Sequence, residues 1–293
     1  MRTAHPGVVL GLHRSRHERD VLDVAAELGI RRLDTSYNYC HFTAHRALRS
    51  TAGTLLNEFE ISTKVGFFPG ESTGPEHDLD PVRLREAVET SARELGRPPE
   101  LVFLHNPERS VHALRGDTAI ATLAKACAAL QECVQSGSCA AWGIATWDPR
   151  PIVSALAGRT SVLPSPSVVM VRAGLLVSAD VLDASEALAT VLDVPRSSRW
   201  GMSPFGGDAA DPVWQKVDSR MFVEDRVHWT REQAAFRAAG ELPGVGQIVV
   251  GTNNPDHLRD LVAAANQIPD LAVIATYRNL IGQARSAPAP TAT

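Results

Sequence analysis

Lysine is scarce in this sequence, and so are the features that mark membrane and nucleic-acid-binding proteins. Among 293 residues only Lys64, Lys125 and Lys216 are lysines, although lysine and arginine together number 29. No run of about 18 apolar residues is present, so no transmembrane helix is predicted. The formal net charge of −4 provides no bulk attraction to nucleic acid or anionic membrane. We therefore expect a monomer or homodimer whose partner is a small molecule.

Motifs for redox-active cysteines, nucleotide-binding loops and metal sites are also missing. The four cysteines include no CxxC pair, which favours reduced thiols and a cytoplasmic location. Neither a GxGxxG fingerprint nor a P-loop occurs. His41 and His45 have the spacing of metal ligands on a helix, but no acid or cysteine completes the set. The sequence therefore predicts no metal site.

What the sequence does contain is an alternation of short apolar segments and longer helical patterns. Predicted strands cover residues 8–14, 31–36, 60–65, 101–106, 140–147, 167–174, 198–205 and 247–253. Each is followed by a helical pattern, and this alternation implies a parallel sheet. Eight such units in about 250 residues match a closed (β/α)₈ TIM barrel of the α/β class better than an open sheet. We predict one barrel domain over residues 1–285 and a disordered tail over 286–293.

Polar side chains stand at the predicted carboxyl ends of three successive strands. These are Asp34, Lys64 and His105, and a barrel brings such strand ends together at its mouth. Tyr39 follows five residues after Asp34, and a lysine ammonium beside a phenol favours the phenolate. Tyr39 is therefore a candidate proton donor or acceptor, and His105 can polarise a carbonyl oxygen. Taken singly, each residue could instead belong to a structural ion pair or a packed core.

The order of these motifs resembles that of the aldo-keto reductases. "RRLDTSYNY" is similar to that family's Asp-Tyr motif, "STKVG" to its lysine strand and "FLHNPE" to its histidine strand. "AWGIATW" and "IVVGTNNPDHLRD" resemble the fifth strand and the C-terminal cofactor segment. The resemblance implies a barrel enzyme that reduces a carbonyl with NADP(H), or less often NAD(H), or runs the reverse oxidation. Tyr39 would then be the general acid, Lys64 and Asp34 would tune it, and His105 would orient the carbonyl.

The resemblance also implies which positions would contact the cofactor. Ala145, Thr146 and Met170 stand where the family commonly has Ser, Asn and Gln around the nicotinamide amide. Met202 stands where an aromatic ring often stacks on the nicotinamide, and His257 lies in the segment that holds the 2′-phosphate. The implied cofactor-binding residues are Ala145, Thr146, Met170, Met202, Gly251, Thr252, Asn253 and His257. Because these positions depart from the pattern, the cofactor stays open between NADP, NAD and none.

Three residues are candidates for substrate binding. Arg14 and Arg172 are extra cations near the space that the nicotinamide would fill, and they would suit a carboxylate or phosphate. Both could instead face solvent or pair with nearby acids. Residues 206–229 are predicted to be a loop over the barrel mouth, and family loops at this position shape the substrate pocket. Trp229 is therefore the third candidate, with a packed surface loop as the alternative.

Three functions stay open on the sequence alone. The first is an NAD(P)H-dependent oxidoreductase of the aldo-keto reductase type, favoured by the complete tetrad of Asp34, Tyr39, Lys64 and His105. The second is a cofactor-independent dehydratase, lyase or isomerase that uses the same four residues as acid and base. The third is a non-catalytic ligand-binding subunit, which would have no need to keep all four polar residues.

Overall fold

Eight parallel strands close into a barrel in the computed structural model, which describes residues 5–70, 74–157 and 163–286. The strands are β1 (Gly7–Gly11), β2 (Arg32–Asp34), β3 (Glu60–Val65), β4 (Phe67–Phe68), β5 (Glu76–His77), β6 (Leu101–His105), β7 (Ala141–Thr146), β8 (Val168–Arg172), β9 (Arg199–Met202) and β10 (Gln247–Val250). Around the barrel the order is β1-β2-β3-β6-β7-β8-β9-β10, while β4 and β5 form a separate antiparallel pair. The predicted single-domain (β/α)₈ barrel is confirmed.

Helices follow the barrel strands and cover the outside of the barrel. They are α1 (Arg19–Glu27), α2 (Ala44–Ala52), α3 (Pro81–Leu95), α4 (Glu108–Val111), α5 (Gly116–Gln135), α6 (Arg150–Leu156), α7 (Ala179–Val191), α8 (Val213–Lys216), α9 (Arg231–Ala239), α10 (Pro255–Ala265) and α11 (Leu271–Ser286). Local chemistry sets their ends. Asp80 caps the first turn of α3, and Gly96 ends that helix in the left-handed conformation with φ of 79°. Thr230 and Gln233 form a capping box at the start of α9.

The barrel interior is packed with apolar side chains. Inward-facing side chains from several strands form one apolar cluster that includes Val9, Phe103, Met170, Trp200 and Val249. The outward faces of the strands pack against the buried stripes of the helices. Chemistry is therefore confined to the mouth of the barrel, where the carboxyl ends of the strands lie.

Strand register decides which side chains reach the mouth. His105 lies opposite Ala145, and Ala145 lies opposite Met170. Side chains alternate between the two faces of a strand, so Arg172 projects to the same inner side as Met170. Arg172 lies opposite Met202 and is two residues nearer the mouth than Met170. The register therefore brings Arg172 to the rim of the mouth.

Two loops at the mouth differ from the sequence-based prediction. The first strand ends at Gly11 and not at residue 14, so His13 and Arg14 lie in a turn after it. Residues 206–229 are not an uninterrupted loop, since they contain α8 and a 3₁₀ turn at Ser219–Phe222. Both short elements pack through apolar side chains against α9 and α11, which the alternation of long elements does not reveal.

The C-terminal helix α11 was not predicted at all. It packs against α7, and the Tyr277 hydroxyl donates a hydrogen bond to the carbonyl of Leu175. Ser286, assigned by the sequence to a disordered tail, is its last residue. The rest of that predicted tail, residues 287–293, lies outside the described residues.

The cysteine thiols are free, and most of them are buried. Cys127, Cys133 and Cys139 lie in the core, while Cys40 is exposed beside Tyr39. Burial raises the pKa of the Cys127 and Cys139 thiols to about 12, which makes them poor nucleophiles at neutral pH. None of the described helices has both the length and the apolar character needed to cross a membrane.

Candidate active site

Lys64 is the centre of a buried polar cluster at the mouth. Its ammonium donates to Asp34 Oδ2 at 2.5 Å, to the carbonyl of Thr35 at 2.9 Å and to the Tyr39 hydroxyl at 3.3 Å. The second carboxylate oxygen of Asp34 accepts a bond of 2.8 Å from Ser62 Oγ. The side chain of Lys64 is 3% exposed, so its charge is neutralised by groups of the chain and hardly by water. Three tetrad residues therefore meet as the sequence predicted.

The electrostatics of this cluster favour a protonated tyrosine. Burial raises the pKa of Tyr39 above its ordinary value, and the opposing effect of Lys64 is smaller. Burial by itself would lower the pKa of Lys64, but Asp34 and Tyr39 raise it more, so the ammonium stays charged. Lys64 thus acts in the predicted direction, towards the phenolate, while burial outweighs it. At neutral pH, Tyr39 carries a proton that it can donate.

His105 completes the tetrad as a neutral imidazole. Its Nδ1 lies 3.2 Å from Ser36 Oγ, and its Nε2 has no hydrogen-bond partner in the described part of the chain. Burial holds the pKa of His105 well below its ordinary value, and the charge of Lys64 adds to this effect. Phe67 contacts the ring edge to face at 4.8 Å, and His77 Nε2 binds the carbonyl of His105 at 2.8 Å. His105 is therefore fixed in place with one ring nitrogen free for a ligand.

Two residues beside the tetrad, Ser36 and His13, have no role in the sequence analysis. Ser36 follows Asp34 by two residues within the quoted "RRLDTSYNY" motif, which is the signal that could have identified it. The His13 ring packs edge to face against Tyr39 with centroids 4.8 Å apart. Burial and the neighbouring charges of Arg14 and Lys64 lower the pKa of His13, so a second neutral imidazole borders the phenol.

The turn after Tyr39 has an unusual backbone. Cys40, His41 and Phe42 have φ values of 49°, 52° and 64°, a conformation that costs non-glycine residues free energy. The carbonyl of Tyr39 accepts backbone bonds from Thr43 and Ala44, which holds the turn closed before α2. The backbone that carries the phenol is thereby fixed on both sides of the turn.

The two histidines that the sequence raised as possible metal ligands do not share a site. His41 is exposed, whereas His45 is buried with its Nε2 at 2.8 Å from Thr63 Oγ1. Burial lowers the pKa of His45 to about 4. Over the ranges that the structure describes, no three His, Cys, Asp or Glu side chains are grouped so that they could hold a metal ion.

The positions that the resemblance assigns to the nicotinamide amide are largely closed. Ala145 and Met170 are fully buried in the barrel core, while Met202 is partly exposed. The hydroxyl of Thr146 is buried and donates to Glu108 Oε2 at 2.8 Å. None of these side chains offers a free polar group to a ligand.

Glu108 is a buried acid that the sequence analysis did not single out. Besides Thr146, it accepts bonds from the backbone N–H groups of Trp147 at 2.8 Å and Asp148 at 3.2 Å. Burial raises the pKa of Glu108 despite these bonds. Its position three residues after His105 in "FLHNPE" was the available signal. Glu108 joins the segment after β6 to the end of β7.

The residues assigned to the phosphate end lie at the exposed start of α10. Asn253 connects two loops, since its Oδ1 accepts from the N–H of Arg16 and its Nδ2 donates to the carbonyl of Arg14. The hydroxyl of Thr252 caps the N–H of Asn254. A Cβ on Gly251 would lie 2.9 Å from the carbonyl of Gly11, so the chains pass closely there. His257 is exposed in the first turn of α10, as are the N-terminal positions around it.

The three substrate-binding candidates lie in different environments. Arg172 is partly buried, and its guanidinium carbon lies 5.1 Å from the centre of the Trp147 ring. Arg14 is exposed in the turn after β1. Trp229 is partly buried before α9, and its indole N–H is buried without a partner among the described residues. Of the three, the structure places Arg172 on the inner rim of the mouth.

The structure thus shows a closed (β/α)₈ barrel with a cluster of Tyr, Lys, Asp and His at its mouth, and comparison with known proteins gives its family. A family model described as the aldo/keto reductase family matches residues 13–191. The chain therefore belongs to the aldo/keto reductase family. Comparison with curated proteins finds no match.

Solved structures with the same fold share little sequence with this chain. An aldo-keto reductase from Bacillus halodurans in its holo form is 18% identical over 94% of this chain and 91% of its own, with a TM-score of 0.71. One from Klebsiella pneumoniae, in complex with NADPH, is 17% identical over 100% and 97%, with a TM-score of 0.68. An aldose reductase from Giardia lamblia is 15% identical over 96% and 93%, also at 0.68. At these identities the likeness shows the fold alone.

Proposed function

We propose that this protein is an NAD(P)H-dependent reductase of a small-molecule carbonyl compound, with Tyr39 as the general acid. The observation that carries the proposal is the hydrogen-bonded chain from Asp34 through Lys64 to the Tyr39 hydroxyl, next to a neutral His105. A solved relative from Klebsiella pneumoniae in complex with NADPH supports the choice of cofactor.

Two parts of the barrel mouth are suited to a nicotinamide nucleotide. The tetrad can supply a proton beside a reacting carbonyl, and the exposed N-terminus of α10 can attract phosphate through its N–H groups and helix dipole. At the amide the fit is altered, because the Thr146 hydroxyl is bound to Glu108 and Met170 is buried. Backbone groups or other side chains would have to hold the amide.

In the proposed mechanism, each tetrad residue has one task at the carbonyl oxygen. Tyr39 donates its phenolic proton to that oxygen, and Lys64 stabilises the phenolate that remains. Asp34 holds the ammonium in position. The Ser36 hydroxyl donates to Asn38 Oδ1 at 2.6 Å and lies 3.2 Å from Nδ1 of His105. In its Nε2–H tautomer, His105 would donate a hydrogen bond to the same oxygen. The hydride for the carbonyl carbon would come from the bound nicotinamide.

Titration of the purified protein with NADPH and with NADH tests the proposal directly. We expect the nicotinamide fluorescence to show saturable binding at cofactor concentrations below millimolar. We also expect oxidation of the bound cofactor when an aldehyde is added. Absence of binding at millimolar concentrations of both nucleotides would overturn the proposal.

A second function is favoured by the altered amide positions. With Thr146 committed to Glu108, the same tetrad could act as acid and base in a dehydration, elimination or isomerisation without a nicotinamide. Substrate turnover in cofactor-free buffer that is lost in Tyr39→Phe would support this reading, whereas strict dependence on added nucleotide would exclude it.

A further inference from the structure

The guanidinium of Arg172 has no hydrogen-bonding partner among the described residues. Arg172 ends β8 on the inner side of the barrel, and its side chain forms no hydrogen bond or ion pair within the part of the chain that the structure describes. Its Nε is buried and unpaired, while its guanidinium lies over the Trp147 ring at 5.1 Å. The indole is 44% exposed, so this arrangement opens to the mouth.

The acids near Arg172 are already bound by another arginine. Asp148 and Asp180 are the carboxylates whose charges act on Arg172. Arg150 donates to Asp148 through Nε at 2.8 Å and through Nη2 at 2.7 Å, and its Nη1 pairs with Asp180. Arg150 therefore takes the hydrogen bonds of both acids, while the two aspartates balance the charges of the two arginines. The N–H donors of Arg172 stay unused among the described residues.

Burial makes the unused N–H donors of Arg172 costly. Desolvation lowers the pKa of Arg172, yet a guanidinium remains protonated at any physiological pH. A partly desolvated charge gains more from an ionic hydrogen bond than an exposed one does. The planar fork of a guanidinium matches the two oxygens of a carboxylate, and the indole face provides an apolar wall for the adjoining carbons.

We propose that Arg172 and Trp147 form a subsite that binds the carboxylate of the substrate, so that the protein reduces aldehydes or ketones that also carry a carboxylate. This proposal rests on the proposed reductase function. A single guanidinium with unused donors offers one planar pair of N–H groups, which favours the two oxygens of a carboxylate over a phosphate dianion.

The barrel geometry limits the distance between the two ends of such a substrate. One strand, β7, separates β8 from β6, which carries His105. Adjacent strands lie about 4.8 Å apart, so the two strand ends are roughly 10 Å apart before their side chains converge. We therefore expect the carboxylate to stand several atoms away from the carbonyl, as in 4-carboxybenzaldehyde.

Binding of benzoate, measured by calorimetry without any cofactor, tests the subsite independently of catalysis. Arg172→Gln should weaken benzoate binding roughly 10- to 100-fold, the loss of one charge-assisted hydrogen bond. Arg32→Gln is the matched control, because Arg32 begins β2 at the opposite end of the barrel and changes the net charge equally. Benzoate binding that is equal in Arg172→Gln and wild type overturns the subsite.

Two further arms sharpen the binding test. Arg150→Gln should also weaken benzoate, because it frees Asp148 to pair with Arg172, and unchanged affinity would contradict the charge argument. Phenyl phosphate binding at least tenfold tighter than benzoate would overturn the assignment to a carboxylate. Arg172→Lys keeps the charge without the planar fork and should bind benzoate with intermediate affinity, which guards against a folding defect in Arg172→Gln.

Substrate preference in catalysis provides a second test of the subsite. The ratio of kcat/KM for 4-carboxybenzaldehyde to that for 4-methylbenzaldehyde should fall at least tenfold in Arg172→Gln, and an unchanged ratio would overturn the proposal. If wild type binds benzoate through Arg172 yet reduces neither aldehyde, the reductase function fails while the anion subsite stands. If it reduces both with equal kcat/KM, the reductase function stands and the subsite fails.

Discussion

On one side of the barrel mouth, at the ends of β2 and β3, the charged groups bind one another. On the other side, at the end of β8, the guanidinium of Arg172 has no hydrogen-bonding partner in the part of the chain that the structure describes. Lys64 is almost completely buried and has Asp34, Thr35 and Tyr39 as acceptors. Arg172 is partly buried, and within the described ranges its guanidinium lies against the face of Trp147 with no hydrogen-bond acceptor. Both are cations on inward-facing strand positions, and they differ in the groups that accept their hydrogen bonds.

The difference between Lys64 and Arg172 illustrates two roles that a buried charge can have. A charge that the chain satisfies by itself tunes a neighbour, as Lys64 does for Tyr39. A charge that the chain leaves unsatisfied is available to a ligand. The following variants test that contrast, beginning with the largest effect.

Tyr39→Phe should remove the proton donor and keep the ring. We expect kcat/KM for carbonyl reduction to fall about 10²- to 10⁴-fold, while the affinity for the nucleotide hardly changes. In wild type the rate should stay constant through neutral pH and fall only at strongly alkaline pH, because burial raises the pKa of Tyr39. His105 stays neutral over the same range, since its pKa is lowered. A rate that declines between pH 6 and 8 would contradict this assignment.

Lys64→Met and Arg172→Met compare the two cations by stability. Lys64→Met leaves the buried Asp34 carboxylate unpaired and should reduce the free energy of unfolding by about 3–5 kcal/mol. Arg172→Met breaks no ion pair and should be neutral or stabilising. Urea unfolding of both variants measures the difference in the free energy of unfolding. Equal losses of that free energy would contradict the contrast between Lys64 and Arg172.

Lys64→Arg is the companion variant for the first of these cations. It keeps the charge, so we expect the fold to persist, but the planar guanidinium cannot replace the ammonium beside the phenol. Most of the activity should therefore be lost, and a fully active variant would show that the lysine is incidental.

Ser36→Ala should have the smallest effect. It removes the hydroxyl next to Nδ1 of His105 and should lower kcat roughly tenfold, with a smaller change in KM. The ¹⁵N chemical shifts of His105 should show a changed balance between its Nδ1–H and Nε2–H tautomers. Unchanged shifts with reduced kcat would mean that Ser36 acts on the structure of the turn instead.

The sequence predicted the parts of the fold that repeat. Apolar strands followed by helical patterns gave the barrel, and residue types at strand ends gave Asp34, Lys64 and His105 as a cluster. It missed α11 because that helix follows the eighth unit and has no strand before it. The Phe67–Phe68 and Glu76–His77 pair was missed because two-residue strands leave no periodic pattern.

The parts of the site that the sequence could not provide depend on contacts between distant segments. The choice between a free and a paired Arg172 was left open, because it depends on where Arg150 directs its guanidinium. Thr146 was assigned to the cofactor, yet its hydroxyl donates to Glu108, 38 residues earlier in the chain. Neither pairing follows from spacing, since each is decided by the packing of α4 and α6 above neighbouring strands.

Glu108 has a consequence for which substrates the proposed site would accept. It lies three residues after His105 and binds the backbone of Trp147 and Asp148. The imidazole and the indole are thereby joined through a short piece of main chain and one buried carboxylate, and not through flexible side chains alone. Under the proposed function, the fixed distance between the imidazole and the indole would select carbonyl compounds by the distance between their two ends.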